Sequence, residues 1–149
     1  MTIAITQQQS WMAALALSSL PLLEEGWERL AAKPRYKMLR PVEIGMVLLR
    51  ARIGGTGAPF NFGEATMTRA AVELDGGERG FSYLLGRKPR EAELSAAFHA
   101  LLQCPERRAE VEDLVIRPAE AARAAAMAAD RSAAAATRVD FSALVRGHD

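Results

Sequence analysis

Three arginines, four glycines and a glutamate fall within the segment Arg50-Ala-Arg-Ile-Gly-Gly-Thr-Gly-Ala-Pro-Phe-Asn-Phe-Gly-Glu-Ala-Thr-Met-Thr-Arg69. Guanidinium forks at Arg50, Arg52 and Arg69, with loop N–H groups from Gly54, Gly55, Thr56 and Gly57, suit an anion or the carboxylates of a partner. Asn61, Glu64 and Thr68 add polar side chains on the returning chain. These ten residues are the candidate binding positions, for substrate or for partner. Two readings of the glycines stay open. They serve contact with something outside the chain, or they only satisfy the geometry of a long hairpin.

No nucleotide fingerprint accounts for the segment. A phosphate loop of the Walker type needs a Lys after its last glycine, and Ala58 stands there. A dinucleotide loop needs its third glycine at the opening of a helix, whereas Pro59-Phe60 and a second strand follow here. Glu43 and Glu64 could act as general bases in a self-sufficient small enzyme. Neither has a second carboxylate or a histidine at a diagnostic spacing, so no catalytic residue is assigned. A small anion-binding module is the other alternative.

His99 and His148 are the only histidines and Cys104 the only cysteine. His99 sits beside an apolar stripe without a second ligand at metal spacing, which reads as a surface or interface histidine, and no metal or cofactor is expected. Cys104 excludes an intramolecular disulfide and fits a reducing compartment. Met1–Ser10 lacks the basic and apolar regions of a signal peptide, and no apolar run reaches spanning length. The expected address is the cytoplasm, without a membrane partner.

The elements that must position the arginine–glycine segment can be read around it. Trp11, Ala14, Leu15 and Ser18 mark one helical face, and Leu23, Trp27 and Leu30 mark another, with Pro21 between them. Both tryptophans read as packing residues. Tyr36 to Leu39 starts the sheet before Pro41. In the strand from Gly45, Val47, Leu49, Ala51 and Ile53 share one face, and Met46, Leu48, Arg50 and Arg52 the other. Asn61 to Leu74 forms the next strand. Asp75-Gly-Gly77 turns it into a third, Glu78 to Leu85, setting Glu73 near Arg79 and Arg69 near Tyr83. Arg69 would lie deep in a central strand and need a partner or a ligand. Helix resumes after Pro89, with Leu94, Phe98 and Leu101 on one side, and restarts at Pro105.

From Ala119 to Ala136 the chain has 12 alanines in 18 residues, either a strong helix former suited to close approach of another backbone or a low-complexity tether. The apolar tail beyond it is expected to dock through Arg138, Phe141, Leu144 and Val145, onto this chain or a partner. The whole reads as one α+β domain over residues 1–149. It has helices in 1–33, antiparallel strands with the glycine-rich hairpin in 35–86, helices in 90–136 and a docking tail in 137–149. A chain of this length can bury roughly 70% of its unfolded surface. Net charge is +1, which argues against a nucleic-acid partner. Sixteen of 19 basic residues are Arg, an excess that suits bidentate anion or interface contacts and that codon bias in a GC-rich genome would also produce.

The segment from Arg50 to Arg69 resembles the signature of the G subunit of the bacterial carbon–phosphorus lyase system. Gln9-Ser-Trp-Met-Ala-Ala-Leu15, Arg40-Pro-Val-Glu-Ile-Gly45, Gly80-Phe-Ser-Tyr-Leu-Leu-Gly-Arg87 and Thr137-Arg-Val-Asp-Phe-Ser-Ala-Leu-Val-Arg-Gly147 extend the likeness in order along nearly the whole chain. His99 and Lys88 depart from the family's pattern, in which acidic residues are expected. The resemblance implies a role in organophosphonate catabolism. There the G subunit is required with the H, I and L subunits to displace adenine from ATP by methylphosphonate, giving α-D-ribose 1-methylphosphonate 5-triphosphate. It implies an accessory or assembly subunit, with the I subunit as nearest partner and carrier of the nucleosidase chemistry. G, H, I and J subunits form the core assembly, and radical cleavage belongs to the iron–sulfur J subunit.

Overall fold

The structure is a computed structural model that describes residues 5–137. The expected docking positions Arg138, Phe141, Leu144 and Val145 lie outside the described residues. Helices α1 (Ile5–Ala16) and α2 (Leu20–Arg29) lead into strands β1 (Tyr36–Arg52), β2 (Pro59–Leu74) and β3 (Arg79–Leu85). Helices α3 (Pro89–Leu101), α4 (Pro105–Val111) and α5 (Arg117–Ala136) follow. The three strands form one antiparallel sheet in the order β1-β2-β3, so the architecture is α+β as the sequence implies.

Proline opens three of the helices: Pro21, Pro89 and Pro105 each occupy a first turn, where the missing N–H has no intrahelical partner to lose. The stripe of α1 is buried as its spacing requires, with Trp11, Ala14, Leu15 and Ser18 all inside. Helix α3 is the core. Ala92 and every residue from Leu94 to Leu101 are buried, because the sheet covers one side and α1 and α2 cover others. Such enclosure erases the one-sided pattern by which a surface helix is recognised. Trp27 packs edge-on against both Phe98 and Tyr36, at 5.8 and 6.0 Å between ring centres, tying α2 to α3 and β1. Between α4 and α5 one helical turn widens: the Arg117 N–H bonds the carbonyl of Glu112, five residues back.

Three expectations change here. His99 is buried, not at the surface, since α3 is enclosed on that side also. Its Nδ1 accepts the Phe81 N–H of β3 at 3.0 Å, closing a donor on the edge of the sheet. β1 is one strand rather than two. Pro41 is accommodated because β1 is an edge strand and its pairing to β2 is irregular between Arg40 and Glu43. The alanine-rich segment is helical, but only its first alanine, Ala119, is buried among the described residues; the others lie open.

The buried imidazole makes stability depend on pH. Burial holds the His99 pKa below its ordinary value of 6.5. The unfolded chain therefore binds more protons as pH falls below that value, and the stabilisation present above it is lost on the way down. Glu43, Glu73 and Glu110, all shifted below the ordinary 4.5, lose their contributions only in a lower window. Scanning calorimetry should show the melting temperature falling as pH drops from neutrality through the histidine range. His99→Gln should flatten that segment of the profile; an unaltered slope in the variant would contradict the assignment.

Candidate functional site

β1 and β2 outrun β3. The last register pair of β2 with β3 is Met67 with Leu85, and Gly86 N–H bonds the Thr66 carbonyl at 2.7 Å. Beyond Thr66 only β1 and β2 remain, paired from Met46–Thr66 to Arg52–Pro59. At about 3.4 Å per residue this two-stranded arm projects roughly 25 Å before its loop. It carries the whole arginine–glycine segment except its root.

At the tip, Gly54 and Gly55 have φ of 60° and 78°, left-handed values that residues with a Cβ resist. The Ile53 carbonyl accepts N–H groups from Thr56 and from Gly57, the latter at 2.9 Å. Arg52 Nη1 donates to the Gly57 carbonyl at 3.0 Å, fastening the loop to the strand below it. These glycines therefore meet a geometric demand, and Arg52 is partly engaged in meeting it. Arg50 has no hydrogen-bond or ion-pair partner among the described residues. With Arg52, Ala51, Gly55 and Pro59 it borders a shallow open depression of about 460 Å³.

The candidate residues do not converge on one site. Arg50 and Arg52 lie on the α3 side of the ribbon with Met46 and Leu48, and Asn61 is paired to Arg50. Arg69 lies on the opposite face at the root, paired to Glu43 and more than roughly 20 Å down the strand from Arg50. Its Nη2 and Nε meet Glu43 Oε2 at 2.8 and 2.9 Å, and Arg40 Nη1 reaches the same oxygen at 3.2 Å. The expected need of Arg69 for a partner is thus met within the chain. Hydrogen bonds from Arg69 and then Arg40 hold the Glu43 carboxyl below the ordinary carboxylate range, the reverse of what a general base near neutrality requires.

Glu64 does not stand opposite Arg50 or Arg52. It is opposite Leu48, because the ladder closes on the Arg52–Pro59 pair and so centres the loop between Gly55 and Thr56, and it forms no ion pair among the described residues. Thr68 is fully buried. Its hydroxyl donates to the Gly86 carbonyl at 2.6 Å and accepts the Lys88 N–H at 3.0 Å, so it fastens the turn between β3 and α3. The Glu73–Arg79 pair forms as the turn at Asp75–Gly77 requires, at 2.7 Å, and Lys37 joins the same carboxylate.

The residues that sequence reading passed over are apolar. Met46, Ile53 and Phe62 are 72%, 75% and 69% exposed, and Ile44, Leu48 and Phe60 also stand open to solvent. Their signal was present: β1 carries apolar residues on both faces over a length that a strand with one solvated face would alternate. A pair of strands is marginal by itself in water, and an apolar one exposes surface that folded monomers rarely leave uncovered. Among the described residues there is no cluster of three His, Cys, Asp or Glu able to hold a metal ion, and no helix long and apolar enough to cross a membrane.

The comparisons with known proteins cover nearly the whole chain. Residues 6–147 match the family model described as phosphonate metabolism protein PhnG. A protein of Rhizobium meliloti (strain 1021), named alpha-D-ribose 1-methylphosphonate 5-triphosphate synthase subunit PhnG, is 43% identical over 148 residues, spanning 97% of this chain and 92% of its own. The arm, its glycine tip and the sheet that carries it accordingly belong to a member of the PhnG family of phosphonate metabolism proteins.

Proposed function

We propose that this chain is an accessory subunit of a synthase that makes α-D-ribose 1-methylphosphonate 5-triphosphate from ATP and methylphosphonate, docking onto its catalytic partner through the β1–β2 arm. In that reaction a phosphonate oxygen forms a bond to the ribose C1′ while the bond to adenine breaks, and adenine leaves. The I subunit is the partner put forward for the arm, within an assembly that includes H and J subunits and works with L. The cytoplasm is the proposed site of action.

One observation carries the reading: the residues that mark the family stand on a ribbon that projects from the body and has no core of its own. A self-sufficient enzyme is disfavoured because Glu43 is held ionised by Arg69 and Arg40. Arg50, a guanidinium near the tip without a partner among the described residues, supports contact with an acidic group on the partner or with the phosphonate, whose approach to a triphosphate it would ease.

The test is co-expression of the I, H and L subunits with and without this chain, followed by adenine release from ATP and methylphosphonate. Release only when the chain is present is the expected result. Purified alone, the chain should release none; release by the isolated chain would overturn the reading. Arg50→Ala then separates two versions. Loss of the chain from the complex marks an interface contact, whereas an intact complex with lost transfer marks contact with substrate.

A further inference from the structure

The two long edges of the arm differ in a way that specifies how a partner can meet it. Backbone bonds set the alternation. Leu74 N–H bonds the Glu78 carbonyl and Gly86 N–H the Thr66 carbonyl on the β3 side of β2, whereas Asp75 N–H bonds the Arg35 carbonyl on the β1 side. Phe81 N–H turns away from β2 toward His99. Even-numbered residues of β2 thus bond toward β3 and odd-numbered ones toward β1. Carried through the register, Glu43, Gly45, Val47 and Leu49 bond to Arg69, Met67, Ala65 and Gly63. Ile44, Met46 and Leu48 turn their N–H and C=O groups to the open edge of β1.

Sheet edges are normally blunted by proline, charge or irregularity. The lower part of β1 has all three: Pro41, Lys37 and Arg40, and register shifts on either side of Arg40. The outer edge of β2 is interrupted by the extra residue at Phe62. From Ile44 to Leu49, β1 has no charge, no proline and no irregularity.

We propose that the Ile44–Arg52 edge of β1 accepts a β-strand from the synthase partner, completing the arm as a three-stranded sheet. The proposal rests on the docking role argued above and specifies its mode. The incoming strand sets apolar side chains beside Met46 and Leu48 and a carboxylate within reach of Arg50 or Arg52. A second copy of this chain fits poorly. Pairing the segment with itself offers Glu43 as the only acid, and that carboxylate is already held by Arg69 and Arg40.

Residue-resolved amide exchange, on the chain alone and in complex with the co-expressed I subunit, tests this. The Met46 and Leu48 amides should slow by about 100-fold or more in the complex, with Val47, already bonded to Ala65, as the internal reference. Met46→Pro removes only an outward N–H, so the chain should fold with an unchanged ladder and fail to join the partner, while Met46→Ala joins it. A complex that forms with both amides still exchanging freely, or that tolerates Met46→Pro, overturns strand addition and leaves the docking role standing. No complex with the unmodified chain overturns both. Pairing into homodimers with the same amide protection would replace the partner strand by a second copy.

Discussion

A chain carrying Gly80→Ala is expected to populate little native state. Gly80 lies on β3 directly beneath α3, and a Cβ there would run into the Ala96 carbonyl oxygen and stand 2.6 Å from the Ala100 nitrogen. Both obstacles are helix backbone, which cannot swing aside as a side chain does. Over-packing that side chains can absorb costs about 1–3 kcal/mol; here the loss should reach or exceed about 3 kcal/mol of the roughly 5–15 that a domain possesses. Gly45→Ala is the control: nothing lies within 4 Å of its Cβ position, so its denaturation midpoint should hardly move. Equal midpoints for the two variants would show that α3 does not seat on β3 as described.

The second large effect is expected on activity with stability spared. Replacing Met46–Thr66 by Asn-Gly joins Gly45 to Met67, a pair that already faces across the ladder and suits a two-residue turn. None of the residues removed is buried, so the body should melt as the parent does. Adenine release by the co-expressed subunits should drop to the level seen without the chain, by about 100-fold or more, because the proposed docking arm, with Arg50, Arg52 and the glycine tip, is gone. Full activity of the trimmed chain would place its function in the body instead.

Much of this was legible in the sequence, and the gaps have physical causes. Prolines at first turns and the apolar stripe of α1 announce the helices because both signals are local. Asp75-Gly-Gly77 sets a register, so Glu73–Arg79 and Arg69–Tyr83 followed from counting. Glu43 lies 26 residues from Arg69, and its role depends on the β1–β2 register, which two irregularities in β1 and one in β2 shift. Thus it read as a free base rather than as the partner of that arginine. His99 read as a surface or interface residue because a helix enclosed on most sides shows no polar face to compare it with. Thr68 looked like part of a binding strand, though only the path of the chain after Leu85 reveals the turn it fastens. Nor does a strand pattern say how many neighbours a strand has. β3 ends at Leu85 as its sequence predicts, and what the fold adds is that no other strand among the described residues continues the sheet beside the β1–β2 ribbon beyond it.

The most direct measurement is the mass of the assembly formed when the I subunit is co-expressed with either the intact chain or the arm-trimmed one. Arm docking predicts a mixed assembly with the intact chain, and separate species when a folded, trimmed chain takes its place. A trimmed chain that still co-migrates with the I subunit in full stoichiometry would contradict the account.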